Sequence, residues 1–464
     1  MIRKTACSAV ALLVLIGATP AFATNGMNLE GYGSKSLAMG GTGSAYDTGN
    51  SAVMNNPATL GFMKEGEAEI GFGIRALHPD VDMTYGGNKE DSVANAFYMP
   101  SISYMRRDGR ISWGAAMFAQ GGMGTDFGSS SMLFKYGQAM NPPYNMISMS
   151  GEDIRSEVGV ARLMFPVAYH LTNDTTIGAS FDVVMASMDL QMDMDGKHLG
   201  GMMAGNGGSV SGSLLGALGG FTNVHYARFD FSNNSPWIGE AKGFGTGLKF
   251  GITQKVSKSL TIGASYHSQT KLNDLETSNA TISFAGDTLG GPYKQKLTGK
   301  IKVHDFEWPA TAALGFAYQA SDKLMIASDV KFIDWSSVMD KFSMTFIADD
   351  SSGLAGQNID VTMTQNWKDQ TVFSVGLQYM ATKKLALRAG ASFSTNPIPD
   401  QYLNPLFPAI TKDHYTCGFG YRLTDKSSVA AALSLVPKVT AINGDGVENA
   451  HSQVNWSMNY THSL

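Results

Sequence analysis

Cysteine is almost absent from this chain, with Cys7 and Cys417 the two among 464 residues. Cys7 precedes an apolar export core and leaves with it, so Cys417 has no intrachain disulfide partner although the compartment is oxidising. Charge is also scarce, at 16% of residues against roughly 25% in soluble domains. A formal net charge of −5 gives no reason to expect a nucleic-acid partner. Past the first 23 residues no apolar run approaches the ~20 residues that a membrane-spanning helix needs. These absences exclude a disulfide-stapled scaffold and a helical membrane bundle. Glycine, by contrast, is plentiful at 53 of 464, above the usual ~7%.

Residues 1–23 have the layout of a secretory signal. Arg3 and Lys4 supply the basic start, Ala9 to Ala18 the apolar core, and Ala21-Phe22-Ala23 the small-residue cleavage pattern. An exported chain with low charge, many Tyr and Phe and no helical span is expected in the outer membrane of a Gram-negative bacterium as a β-barrel.

The strands carry that expectation. In GFGTGLKFGITQKV, Phe244, Leu248, Phe250, Ile252 and Val256 share one face, while Gly245, Gly247, Lys249, Gly251 and Thr253 share the other. A period of two with one greasy and one small, polar face fits a wall between lipid and lumen. The pattern recurs in Leu314, Phe316 and Tyr318, in Phe373 to Tyr379, in Tyr415 to Leu423 and in Val454 to Leu464. Tight polar turns such as Arg107-Asp108-Gly109 alternate with long loops at about 128–155, 193–242, 276–300, 348–358 and 396–411. We therefore expect an all-β, antiparallel transmembrane barrel of about fourteen strands over residues 63–464.

Residues 24–62 do not alternate. They are rich in Gly, Ser and Asn, too long for a tether and too weakly apolar for a core of their own. A lumen that wide must be filled or conduct water, so the segment is expected to be a hatch inside it.

Four stretches make the chain resemble the FadL/TodX family of outer-membrane transporters of long-chain fatty acids and hydrophobic compounds. They are AMGGTGSAYDTGNSAVMNNPATL, with the motif Asn56-Pro57-Ala58; Pro309 to Trp335; Asn366 to Tyr379; and Leu385 to Pro399. The resemblance implies a fourteen-stranded barrel with an N-terminal hatch, capture of ligand by outer loops, and passive release through an opening at an inward kink of the third strand. In this chain that strand contains Gly121, Gly122 and Gly124, and glycines inside a strand mark a bulge or bend. The family's fatty-acid transporters carry a basic residue on the fifth strand. Here Met185-Ala186-Ser187-Met188 has none, which leaves neutral hydrocarbons open beside fatty acids. A general aqueous porin is the alternative, and an adhesin a more distant one.

The residues themselves point to a hydrophobic ligand. Beyond Ser187 the outward positions become Asp189, Gln191, Asp193 and Asp195, as if clear of the bilayer, while Met188, Leu190, Met192 and Met194 turn inward. That apolar ladder suits a greasy passage, and equally suits packing beneath a folded loop. Leu214, Leu215, Leu218 and Phe221 fall on one side of a short helix, which forms either a capture surface or a patch that packs on itself. Arg162, Asp182, Lys249, Asp329, Lys331, Arg388 and Arg422 fall on inward faces, where they must pair or be wet. Structural anchoring is the first reading, with Asp47 and Glu30 as partners for Arg388 and Arg422, and binding of a ligand carboxylate is the second.

No histidine spacing, glycine fingerprint or Ser/His/acid set implies a metal, a cofactor or an enzyme. The expected partners are a hydrophobic small molecule and outer-membrane lipids, including lipopolysaccharide, and the barrel is expected to be monomeric.

Overall fold

A strand with one apolar face and one small-residue face can close a cylinder against lipid, because closure pairs every backbone polar group that lipid cannot satisfy. The computed structural model describes residues 25–129, 150–231 and 239–464, and it has this form. Ala68–Leu77 pairs antiparallel with Phe97–Asp108 on one edge and with Glu448–Ser463 on the other. The first and last strands thus meet, and the sheet closes on itself. The expected export signal at 1–23 and much of the first expected long loop, 130–149, lie outside the described residues.

Alternation sets the two faces as expected. Phe244, Leu248, Phe250 and Ile252 are exposed on the outer surface, with Lys249 fully buried between them. Leu314, Phe373, Tyr415, Val454 and Met458 are exposed in the same way. Among the described residues no helix is long and apolar enough to cross a membrane.

Among the described residues fourteen strands pair in succession and close the ring, and the expectation needs correction in its long loops, since the whole sheet contains 24 strands. Segments that read as long loops are themselves strands, among them Phe221–Asp230, Ala280–Thr288, Gly291–His304 and Asn358–Thr364. Backbone groups of a long loop need partners, and pairing onto existing strands supplies them. Each of these strands turns an apolar row inward. Phe229, Ile282, Phe284, Ile301 and Val361 join one buried cluster at the long-loop end.

A second correction concerns Thr175–Asp195. Its positions Asp189 and Asp193, expected to face water, are buried. Neighbouring strands run beside this stretch and cover it with Arg155, 3.5 Å from Asp189, and Arg228, 3.1 Å from Asp193.

Candidate functional site

Residues 25–62 form short helical turns, including Gly33–Leu37, Ala52–Asn55 and Pro57–Phe62, and nearly all of them are buried. Glycine pairs on the wall set how closely they seat. Gly178 and Gly251 face each other across two strands, as do Gly376 and Gly390. A Cβ at the first pair would collide with Asn56 or Ala58, and at the second with Met39 or Gly40. The side chain of Asn56 donates to Ser44 O at 2.7 Å and to Ile252 O on the wall at 3.2 Å. Its Oδ1 accepts from the Ala58 N–H at 3.0 Å, and Pro57 occupies the first position of the turn that follows.

Wall charges hold the same segment. Asp329 Oδ2 accepts from Gly43 N at 2.8 Å, Ser44 N at 3.1 Å and Ser44 Oγ at 2.8 Å. Lys331 donates to the carbonyls of Gly41 at 2.7 Å and Glu30 at 3.3 Å. The Glu30 carboxylate does not meet Arg388 or Arg422. It lies 2.6 Å from Arg75, buried on both sides. Asp47 pairs with Lys35 at 3.1 Å, within its own segment. Arg75 was legible on the first strand, where exposed Phe72 and Ile74 put Gly71, Gly73 and Arg75 on the inner face.

The third strand, Ile111–Gly128, leaves its partner part-way. It pairs with Phe97–Asp108 from Asp108/Ile111 to Ile102/Met117 and then stops. Phe97 to Ser101 pair only with the first strand, and contact resumes where Val93 N donates to Asp126 O at 2.8 Å. Against the next wall strand, Ile154–His170, the register shifts between Ala119 and Gly121. There Gly121 bridges to Asn28, and Gly122 N donates to Met27 O at 3.1 Å. A cavity of about 220 Å³ lies beside this break, lined by Gly121, Gly122, Gly124, buried Gly26 and His451, and exposed Tyr98 and Met185.

A smaller apolar cavity, about 40 Å³, sits under the long-loop end. Met188 and Leu190 line it with Met27, Phe306, Trp367 and Phe407. Met192 and Met194 do not line it. All four ladder residues are buried in the apolar cluster beneath the outer strands, and Met188 and Leu190 border the cavity as well. Leu214 is buried in the same cluster, and Leu215 and Phe221 pack on its edge. The expected exposed α-helix is a 3₁₀ turn, Ser213–Gly220, and Phe221 opens a strand. Leu218's side chain lies outside the described residues. Sequence reasoning passed over Trp308, Trp335 and Trp367, stacked edge to face at 5.8 and 5.2 Å. Their signal was position, since Trp335 and Trp367 lie just outside strand ends where an alternating wall needs no large ring.

The match to known proteins covers this whole arrangement. The family model for outer membrane protein transport proteins (OMPP1/FadL/TodX) matches residues 11–463. The chain belongs to this family. Its members are outer-membrane transport channels, not enzymes. The crystal structure of the P. putida toluene transporter TodX is similar, at 32% identity and a TM-score of 0.81, covering 94% of this chain and 99% of that one. The Ralstonia pickettii toluene transporter TbuX is 30% identical with a TM-score of 0.76, again over 94% and 99%. A Chlorobium limicola protein, encoded in the 5′ region of a phosphoenolpyruvate carboxykinase gene, is 70% identical over 122 residues. That match spans 26% of this chain and 59% of the relative.

In this family member the remaining inward charges fall into three situations. Arg162 and Lys249 share Asp182, at 3.0 and 3.1 Å, and all three are buried. Arg162 also donates to Gln120 and Thr270, and Lys249 to the carbonyl of Val53 at 3.3 Å. A buried cation without such partners would be strongly disfavoured. Arg388 is half-buried and donates to Gln378 at 2.8 Å. Arg422 is exposed near a short turn and belongs to no buried network, a correction to its expected role.

Proposed function

We propose that this channel carries neutral hydrophobic compounds passively, from the apolar cavity under the outer loops to the break beside the third strand. The hatch, residues 24–62, closes the direct aqueous route, and the ligand leaves sideways into the outer leaflet at Gly121 to Gly124. One observation carries the reading. Val158 lines both cavities, and the consecutive residues Gly26 and Met27 line one each. A ligand held against Met188 and Leu190 is therefore one residue layer from the break. In a wall facing lipid, backbone groups freed by such a break need a partner, and Met27 and Asn28 supply it.

Neutral compounds are favoured over fatty acids because the apolar cavity has no basic side chain, its polar lining including Gln365, Asn404 and Tyr402. Two of the solved relatives, TodX at 32% identity and TbuX at 30%, are named toluene transporters, which agrees. Proteoliposomes bearing the full-length protein test this with radiolabelled toluene, oleate and a small sugar. Toluene entry well above protein-free vesicles, without sugar entry, is the expected result. Sugar permeation at a comparable rate would favour the aqueous-porin reading, and oleate preference would reverse the substrate assignment.

A further inference from the structure

The strand Gly291–His304 rises at the long-loop end with strict alternation. Leu297, Ile301 and Val303 are buried on its inner face. Lys294, Lys296, Lys300 and Lys302 share the outer face, their side chains 35–57% exposed. Glu152 approaches Lys294 and Lys296 at 3.3 and 4.0 Å. Glu276 approaches Lys300 and Lys302 at 3.8 and 3.6 Å. Two carboxylates lie within 4 Å of the four ammonium groups, and a third, Asp349, accepts from Thr298 Oγ1 at 2.9 Å between Lys296 and Lys300, so the ladder keeps an excess of one positive charge.

Its height follows from the register. Lys302 pairs with Glu276, and Glu276 with Lys242 on the wall. Phe244, exposed to lipid, lies two residues below Lys242 on the same face. At about 3.3 Å per residue the lowest lysine stands roughly 7 Å above the apolar band, and Lys294 roughly 26 Å further along its strand. An ordinary phospholipid presents its phosphate at a single height. A cationic ladder that starts at the headgroup level and continues outward complements a lipid whose anionic groups extend away from the bilayer.

We infer that this ladder binds the phosphorylated sugar headgroup of a lipopolysaccharide molecule in the outer leaflet. The phosphates replace the half-exposed Glu152 and Glu276 as partners of the lysines, and the acyl chains lie against the apolar band below. Attraction of this kind is electrostatic and weakens with salt. The contact is independent of the transport route, since its residues face away from both cavities.

The test uses full-length protein with Lys294, Lys296, Lys300 and Lys302 all changed to Gln, and a second variant with all four changed to Arg. Lipopolysaccharide retained through purification is measured by native mass spectrometry, and rebinding is measured in nanodiscs with intact and dephosphorylated lipopolysaccharide. The Gln variant should retain at least tenfold less than the parent, the Arg variant should match the parent, and dephosphorylated lipid should bind the parent at least tenfold more weakly. Parent-level retention by the Gln variant, or equal binding of dephosphorylated lipid, overturns the proposal. Should the quadruple Gln variant lose heat-modifiable gel mobility, the single Lys296→Gln and Lys300→Gln variants are read instead. Each is then expected to lose at least threefold, and parent-level binding by both overturns the proposal.

Discussion

Gly122 donates its backbone N–H to the carbonyl of Met27 at 3.1 Å, so the third strand bonds to the N-terminal segment beside the stretch where Phe97 to Ser101 have left it. The bond needs close approach. A Cβ at neighbouring Gly121 would collide with the Met27 carbonyl and crowd the Trp308 ring, and one at Gly122 would collide with the Val158 carbonyl. Replacing Gly121 and Gly122 with Val should displace Met27 and straighten the strand. Toluene entry into proteoliposomes is expected to fall at least tenfold while the barrel stays heat-modifiable. Entry at the parent rate by a folded variant would move the exit elsewhere.

The Asp329 carboxylate tests what holds the proposed hatch. Asp329→Ala leaves Gly43 N, Ser44 N and Ser44 Oγ without their acceptor, and a buried donor left unmade costs about 1–3 kcal/mol. Amide exchange at Gly43 and Ser44 should speed up by at least about tenfold, with the barrel strands unchanged. Unaltered exchange there would show that the glycine contacts suffice without the carboxylate.

The methionine ladder divides into two tests. Met188→Asp alters the cavity lining and the packed cluster together, and should weaken both toluene binding and stability. Met192→Asp or Met194→Asp places a carboxylate in the packed cluster and should destabilise by on the order of 3 kcal/mol. Toluene binding by the folded variants, read beside denaturant titration, separates them. Parent-level stability of all three variants would mean that the cluster admits water.

His198 gives a pH dependence. Nδ1 meets Asp195 at 2.7 Å and Nε2 meets Asp445 at 2.9 Å, tying the helix Gly196–Met203 to the turn between the last two strands. Hydrogen bonds to Asp195 and then Asp445 hold the imidazolium up to about 10, above its ordinary 6.5. A raised folded value means the tie is fully present below about pH 6.5 and is lost as pH rises through about 10. Proteolysis in the 196–203 segment should therefore accelerate between pH 7 and pH 10.5. His198→Gln should be cut at one rate across that range, and an unchanged acceleration in the variant would place the titrating group elsewhere.

Much of this molecule was legible before any coordinates. The two-residue period placed Phe244, Leu248 and Phe250 outside and Lys249 inside, because facing is a local property of an extended backbone. Turn chemistry separated the short-turn end from the long-loop end for the same reason. Composition marked residues 24–62 as unable to form a core alone. What the sequence did not disclose depends on who stands beside whom. Asp189 reads as a solvent position, yet a neighbouring strand covers it with Arg155. Glu30 reads as a partner for Arg388, yet the closed ring brings it to Arg75. Met188 and Met192 read alike and both are buried, yet of the two it is Met188 that also borders a cavity. Periodicity is set by each residue's own geometry, whereas partnership is set by long-range pairing and closure, and those the tertiary structure alone decided.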